Sequence, residues 1–176
     1  MQRLTLLRHA KSGWDNPALG DHDRLLDARG ERAAATMAMY MAQQDIIPSC
    51  ILCSSAVRTQ ATAHMLSRIW TAIDKKIPEQ LIDEKLYLAS SDYIMAVAIT
   101  QANHWDHILV LAHNPGLEHL VDLLDPMNTR ASRAAIDQTG FPTTALASFT
   151  DPPMGWADWR KSPPSLTHFA KPKDLV

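Results

Sequence analysis

The sequence predicts an α/β fold, a three-layer α/β/α sandwich with a mostly parallel central sheet, from a pattern that occurs three times. Residues 4–7, 50–53 and 108–112 are short apolar runs of the kind shown by strands buried on both faces. Each run stops at polar residues, and each is followed by a segment with helical spacing or helix-start residues. The length of 176 residues, with 46% hydrophobic and 20% charged positions, suffices for a sizeable core in one domain spanning residues 1–176.

The elements follow in order. The first run ends at Arg8-His9 and gives way to a polar loop through Asp27. Residues 30–44 then carry Ala33, Met37, Tyr40 and Met41 at the spacing of an amphipathic helix. The second run, introduced by Pro48, ends in Ser54-Ser55, good capping residues for a helix over residues 56–73. Leu81-Ile82 is a short extended piece, and Ser90-Ser91-Asp92 caps a helix reaching about Asn103. The third run ends at His113-Asn114, and Pro115 is suited to be the first residue of a helix to Leu124. Residues 126–141 are polar, residues 143–150 read as a strand, and residues 155–160 and 166–170 as edge strands with prolines between them.

Composition excludes several classes. With 17 Lys plus Arg against 19 Asp plus Glu, the net charge of -2 offers no general field for nucleic acid or an anionic membrane. No apolar run reaches the ~20 residues of a membrane span, and the opening residues meet Arg8 and His9 too early for a signal segment, so a cytoplasmic protein is expected. Cys50 and Cys53 form a nominal C-x-x-C, but on a strand their thiols point to opposite faces, which suits buried small hydrophobes better than redox chemistry or zinc. His104 with His107, and His113 with His119, lack the spacing of a metal-ligand motif. Trp156 and Trp159 are three apart, so they share no strand face as a stacking platform, and packing accounts for them.

In a parallel sheet the ligand site lies beyond the carboxyl ends of the strands. Those ends carry Arg8-His9, Ser54 through Arg58, and His113-Asn114, residues far apart in sequence that the fold brings to one edge. Two arginines, two histidines and helix N-termini make a site for a dianion such as phosphate, since a guanidinium grips two oxygens at once and free backbone N–H groups add donors. One histidine must be neutral to attack phosphorus, and the other, as a histidinium, would stabilise the equatorial oxygens. Lys11, Ser12 and Asn114 adjoin the site as possible phosphate donors, while Arg24 and Arg29 either contact substrate or tie the long loop to the body.

These residues also resemble a known family. The segment Leu6-Leu7-Arg8-His9-Ala10-Lys11-Ser12 is similar to the opening signature of the histidine phosphatase superfamily, with Ala10 where the commonest form has glycine. The rest resembles its small SixA-type phosphohistidine phosphatase branch, through Asp23-Arg24-Leu25-Leu26-Asp27-Ala28-Arg29-Gly30, Ser54-Ser55-Ala56-Val57-Arg58-Thr59, Glu84-Lys85-Leu86-Tyr87, His113-Asn114-Pro115-Gly116-Leu117 and the closing Phe169-Ala170-Lys171-Pro172-Lys173-Asp174-Leu175. The resemblance implies a phosphoglycerate mutase-like fold without a cap domain. It also implies a metal-independent, cofactor-free phosphatase in which His9 is transiently phosphorylated while Arg8, Arg58 and His113 surround the phosphoryl group. Glu84 is the candidate general acid, with Asp83 beside it as the alternative. Phosphohistidine needs less help from an acid than an alkyl ester does, because imidazole is the better leaving group. The expected partner is a phosphorylated protein, the alternatives being a small phosphomonoester or a catalytically silent module that binds phosphoprotein.

Overall fold

The computed structural model describes residues 1–14, 17–126 and 140–175. Six strands, β1 (Arg3–Arg8), β2 (Cys50–Ser54), β3 (Glu79–Asp83), β4 (His107–Ala112), β5 (Leu146–Thr150) and β6 (Ser165–Ala170), form one sheet in the order β3-β2-β4-β1-β5-β6. The pairs β3–β2, β2–β4 and β4–β1 are parallel, whereas β5 runs antiparallel to both β1 and β6. The helices α1 (Ala28–Gln43) and α2 (Val57–Ala72) pack on one face, and α3 (Ser91–Gln101) and α4 (Gly116–Leu124) on the other. This is the three-layer α/β/α sandwich with a largely parallel sheet, of phosphoglycerate mutase-like type; among the described residues no separate cap covers it. No described helix is long and apolar enough to cross a membrane.

Strand alternation divides the core. Leu4, Leu6, Cys50, Leu52, Ile108 and Val110 face α3 and α4, while Leu7, Ile51, Cys53, Leu109 and Leu111 face α1 and α2. The central strands need apolar residues on both faces, which is why they read as unbroken runs. Cys50 and Cys53 accordingly lie on opposite faces, both free and buried, with burial pushing their thiols up to about 11 and about 12. Register then sets the site: Arg8 pairs with Ala112, and Cys53 with Leu111, so β1, β2 and β4 end at one level.

Helix starts follow local chemistry with two departures. Asp27 accepts from Gly30 N at 2.7 Å to cap α1, and Ser90 accepts from Tyr93 N at 3.3 Å to cap α3. For α2 the cap position is Ala56, which has no side chain to cap with, while the Ser54 hydroxyl two residues earlier accepts from His113 Nε2 at 2.8 Å and from Ala56 N at 3.4 Å. Pro115 sits at the cap of α4, one residue before the helix. The expected edge strand over residues 155–160 is a correction: Trp156–Asp158 is a 3₁₀ turn. Its three-residue spacing folds Trp156 and Trp159 into the same core, and the Trp156 indole donates to the Met1 carbonyl at 2.8 Å. The strand expected over residues 143–150 starts only at Leu146, since Thr144 has φ 63. The polar stretch expected over residues 126–141 lies largely outside the described residues.

At Gly30 the first turn of α1 presses on the loop after β1, and a Cβ there would stand 2.0 Å from the Lys11 carbonyl oxygen. The obstacle is backbone, which has no rotamer to change. Gly30→Ala is therefore expected to destabilise the fold by about 1–3 kcal/mol. A thermal melt checks this, with a fall in Tm of about 2–10 °C as the expected reading.

Candidate active site

The level strand ends place His9 and His113 side by side, with ring centroids 5.0 Å apart. Arg58, in the first turn of α2, reaches between them and is itself buried, 3% exposed. Its Nε donates to His9 Nε2 at 3.3 Å, and its Nη2 to His113 Nδ1 at 3.2 Å. A guanidinium can only donate, so these contacts fix both imidazoles. His9 carries its proton on Nδ1, donated to the Ala10 carbonyl at 2.8 Å, and keeps a lone pair on Nε2. His113 carries its proton on Nε2, donated to Ser54 Oγ.

These rings stand at the carboxyl edge in a pocket of 240 Å³. Arg8, Arg58, Ser12, Asn114, Lys11 and Arg24 line it with them. Arg8 is tied to the Phe141 carbonyl through Nη1 at 2.9 Å. The Asn114 amide already donates to Glu118 Oε2 and to the Phe141 carbonyl, both at 2.9 Å, so it braces the wall of the pocket.

Electrostatics keep both histidines neutral. Burial lowers His9 from 6.5 to about 4; the Ala10 carbonyl opposes this, and Arg58, Arg8 and Arg24 add to it. Burial, then the neighbouring His9 and Arg58, lowers His113 to about 3, with Asp21 acting the other way. The histidinium expected from the sequence is thus disfavoured by burial first and by the neighbouring cations second; an arriving dianion supplies the opposite charge that would favour it.

Glu84 is not brought to this pocket. It lies exposed in the 3₁₀ turn Glu84–Leu86, and the neighbouring Asp83 is engaged elsewhere, accepting from Lys85 N at 2.8 Å and from the Tyr93 hydroxyl at 2.9 Å. The acidic residue that does line the pocket is Asp21, in the 3₁₀ turn Asp21–Asp23. Its carboxylate accepts from the Tyr87 hydroxyl at 2.7 Å, from Arg58 Nη2 at 3.0 Å and from Arg24 Nη1 at 3.0 Å, while its backbone carbonyl accepts from Arg58 Nη1. The Tyr87 hydroxyl foremost, with the guanidiniums, holds this carboxyl well below the ordinary range, so Asp21 stays ionised. Tyr87 also sets its ring edge against His113, centroids 5.3 Å apart. Neither Asp21 nor Tyr87 stands out in a sequence whose loops hold many polar residues.

The sequence profile of the family described as histidine phosphatase superfamily (branch 1) matches residues 4–85. A solved structure from Agrobacterium tumefaciens, of a protein carrying the name phosphohistidine phosphatase SixA, is similar with a TM-score of 0.78 at 25% identity, covering 96% of this chain and 97% of that one. Residues 4–85 thus match the histidine phosphatase superfamily, and the whole chain has the fold of the SixA structures. The chain also shares its fold with a protein histidine phosphatase SixA solved in complex with tungstate, with a TM-score of 0.77, 20% identity and 99% of each chain covered. An uncharacterised chloroplastic protein of Arabidopsis thaliana is 29% identical over 170 residues, 88% of this chain and 74% of that protein. The reaction type that goes with the superfamily is a histidine-phosphatase hydrolysis.

Proposed function

We propose that this histidine phosphatase removes the phosphoryl group from phosphohistidine in proteins, by way of a phosphohistidine on its own His9, in the cytoplasm. The observation that carries the reading is the state of His9: its Nδ1 proton is held by a backbone carbonyl, and a lone pair on Nε2 faces the guanidinium of Arg58. Attack by Nε2 forms the new N–P bond as the substrate's N–P bond breaks. The electron pair leaves with the substrate imidazole, which takes its proton from water. Water then attacks the phosphorus on His9, releasing inorganic phosphate and restoring the imidazole. Arg8 and Arg58 neutralise charge on the transferring oxygens, and His113 accompanies them as its protonation becomes favourable beside the dianion.

The carboxyl inventory favours a nitrogen leaving group. The acid lining the pocket, Asp21, is locked in the ionised state and has no proton to give, while Glu84 is turned to solvent. An alkoxide needs protonation by a positioned acid more than imidazole does. The expected outcome is release of phosphate, in EDTA, from a phosphohistidine protein and little or none from an unactivated alkyl phosphate. Comparable release from both would move a small phosphomonoester into first place. Release from neither, with phosphoprotein still bound, would leave a silent binding module.

The neutral state of His9 is itself testable. Imidazole resonances of His9 and His113, followed by NMR, should hold close to their neutral positions down to about pH 5, and a midpoint near 6.5 would contradict the locked tautomers. Stability follows the same sign. The native values, with His107 also lowered to about 4 by burial, lie below the unfolded value, so the unfolded chain takes up protons first as pH falls. Stability from these groups is complete above about pH 6.5 and is lost on descent towards 4, on the order of 3 kcal/mol for His107. Urea midpoints across that interval measure it.

A further inference from the structure

The closing segment Phe169 to Leu175 has no part in the chemistry above, yet it builds a second cleft. Lys171 and Lys173 meet Lys11 and Arg29 around a cavity of 110 Å³, walled by Ala33 of α1 and by Thr143. Lys11 and Thr143 also line the phosphate pocket, so the two cavities abut. Four cations converge here in a chain whose net charge is -2. Lys171 is buried, 6% exposed, with its ammonium 3.7 Å from the half-exposed Asp174 carboxylate. The first turn of α1, where Arg29 sits, adds the positive end of a sixteen-residue helix. Lys11, Arg29 and Lys173, which line the cleft, are exposed, so it presents positive charge to an anion arriving from solvent. The volume admits one small anionic group and excludes a nucleoside.

We propose that this cleft is a second anion subsite, which takes the carboxylate of an acidic residue flanking the phosphohistidine of a protein substrate. The proposal rests on the phosphohistidine-protein reading of the neighbouring pocket. Lys11, on the shared wall, serves both anions, whereas Arg29 and Lys173 serve only the second. The subsite therefore sets substrate preference and leaves the chemical step to the residues at the strand ends.

Two matched phosphohistidine peptides, with flanking Glu in one and Gln in the other, test this alongside calorimetric binding of 3-phosphonopropionate and propylphosphonate, which requires no turnover. Wild type is expected to prefer the Glu peptide about tenfold in kcat/KM, carried by KM and shrinking as salt rises, and to bind the carboxylated phosphonate more tightly by a similar factor. Arg29→Glu with Lys173→Glu should abolish both preferences while kcat on the Gln peptide stays within about twofold of wild type. The milder Arg29→Gln with Lys173→Gln guards against misfolding and should lose most of each preference. Equal treatment of both peptides and both phosphonates by wild type would overturn the subsite while leaving the phosphohistidine reading intact. If neither peptide is hydrolysed but the phosphonate preference is present and depends on Arg29 and Lys173, the protein substrate is overturned and the second anion belongs to a small molecule.

Discussion

Replacing His9 with Ala is expected to lower turnover of a phosphohistidine substrate by about 10⁴-fold or more. The size follows from the removal of the nucleophile and not of a binding contact: Arg8, Arg58 and His113 remain at the strand ends, so inorganic phosphate should still bind within about fivefold of wild type. Loss of the imidazole also removes a neighbour that lowers His113, which if anything favours anion binding. Rapid acid-free quenching of the wild-type reaction should trap phosphate on the protein at an alkali-stable nitrogen, and the variant should trap none. Turnover persisting within tenfold of wild type would sink the covalent mechanism.

Arg58→Lys is expected to cost about 10³-fold in kcat/KM, with most of the loss in kcat. Arg58 orients His9 through Nε and His113 through Nη2, and grips Asp21 with the same planar group. A lysine supplies the charge at one point and cannot span three partners. The variant keeps a cation beside Asp21, so circular dichroism should report an intact fold and orthophosphate affinity should fall far less than rate. A variant within tenfold of wild type in kcat would show that fixing the two tautomers contributes little.

Strand-end residues were legible in the sequence because an apolar run long enough for a buried strand leaves its first polar residues at the carboxyl edge, and parallel pairing assembles those edges. Arg8, His9, Arg58 and His113 needed only that rule. Asp21 was not legible, since its loop also offers Asp23 and Asp27, and only the seating of the 3₁₀ turn against Arg58 and Tyr87 distinguishes one carboxylate from another. Glu84 attracted attention by position, but the turn after β3 carries its side chain to solvent. Ser54 read as a helix cap because its local context fits one, but α2 begins two residues later than that reading needs, and the hydroxyl is shared between Ala56 N and a distant histidine. Residues 155–160 read as an edge strand set off by prolines, though the i, i+3 pair of tryptophans suits a 3₁₀ turn.

The pairing of Arg8 with Ala112 has a consequence for how this chain tolerates change in length. His9 and His113 are separated by more than half the chain, yet nothing in the intervening loops measures the distance between them; hydrogen bonds between two adjacent strands do. Residues added to or deleted from the connections behind α1 or α3 alter the path of the chain and leave the two rings facing each other. A single residue inserted within β1 or β4 would move one histidine by a strand step of about 3.3 Å and turn it to the other face of the sheet. Length variation in this protein is therefore confined to its connections, and the strands act as its ruler.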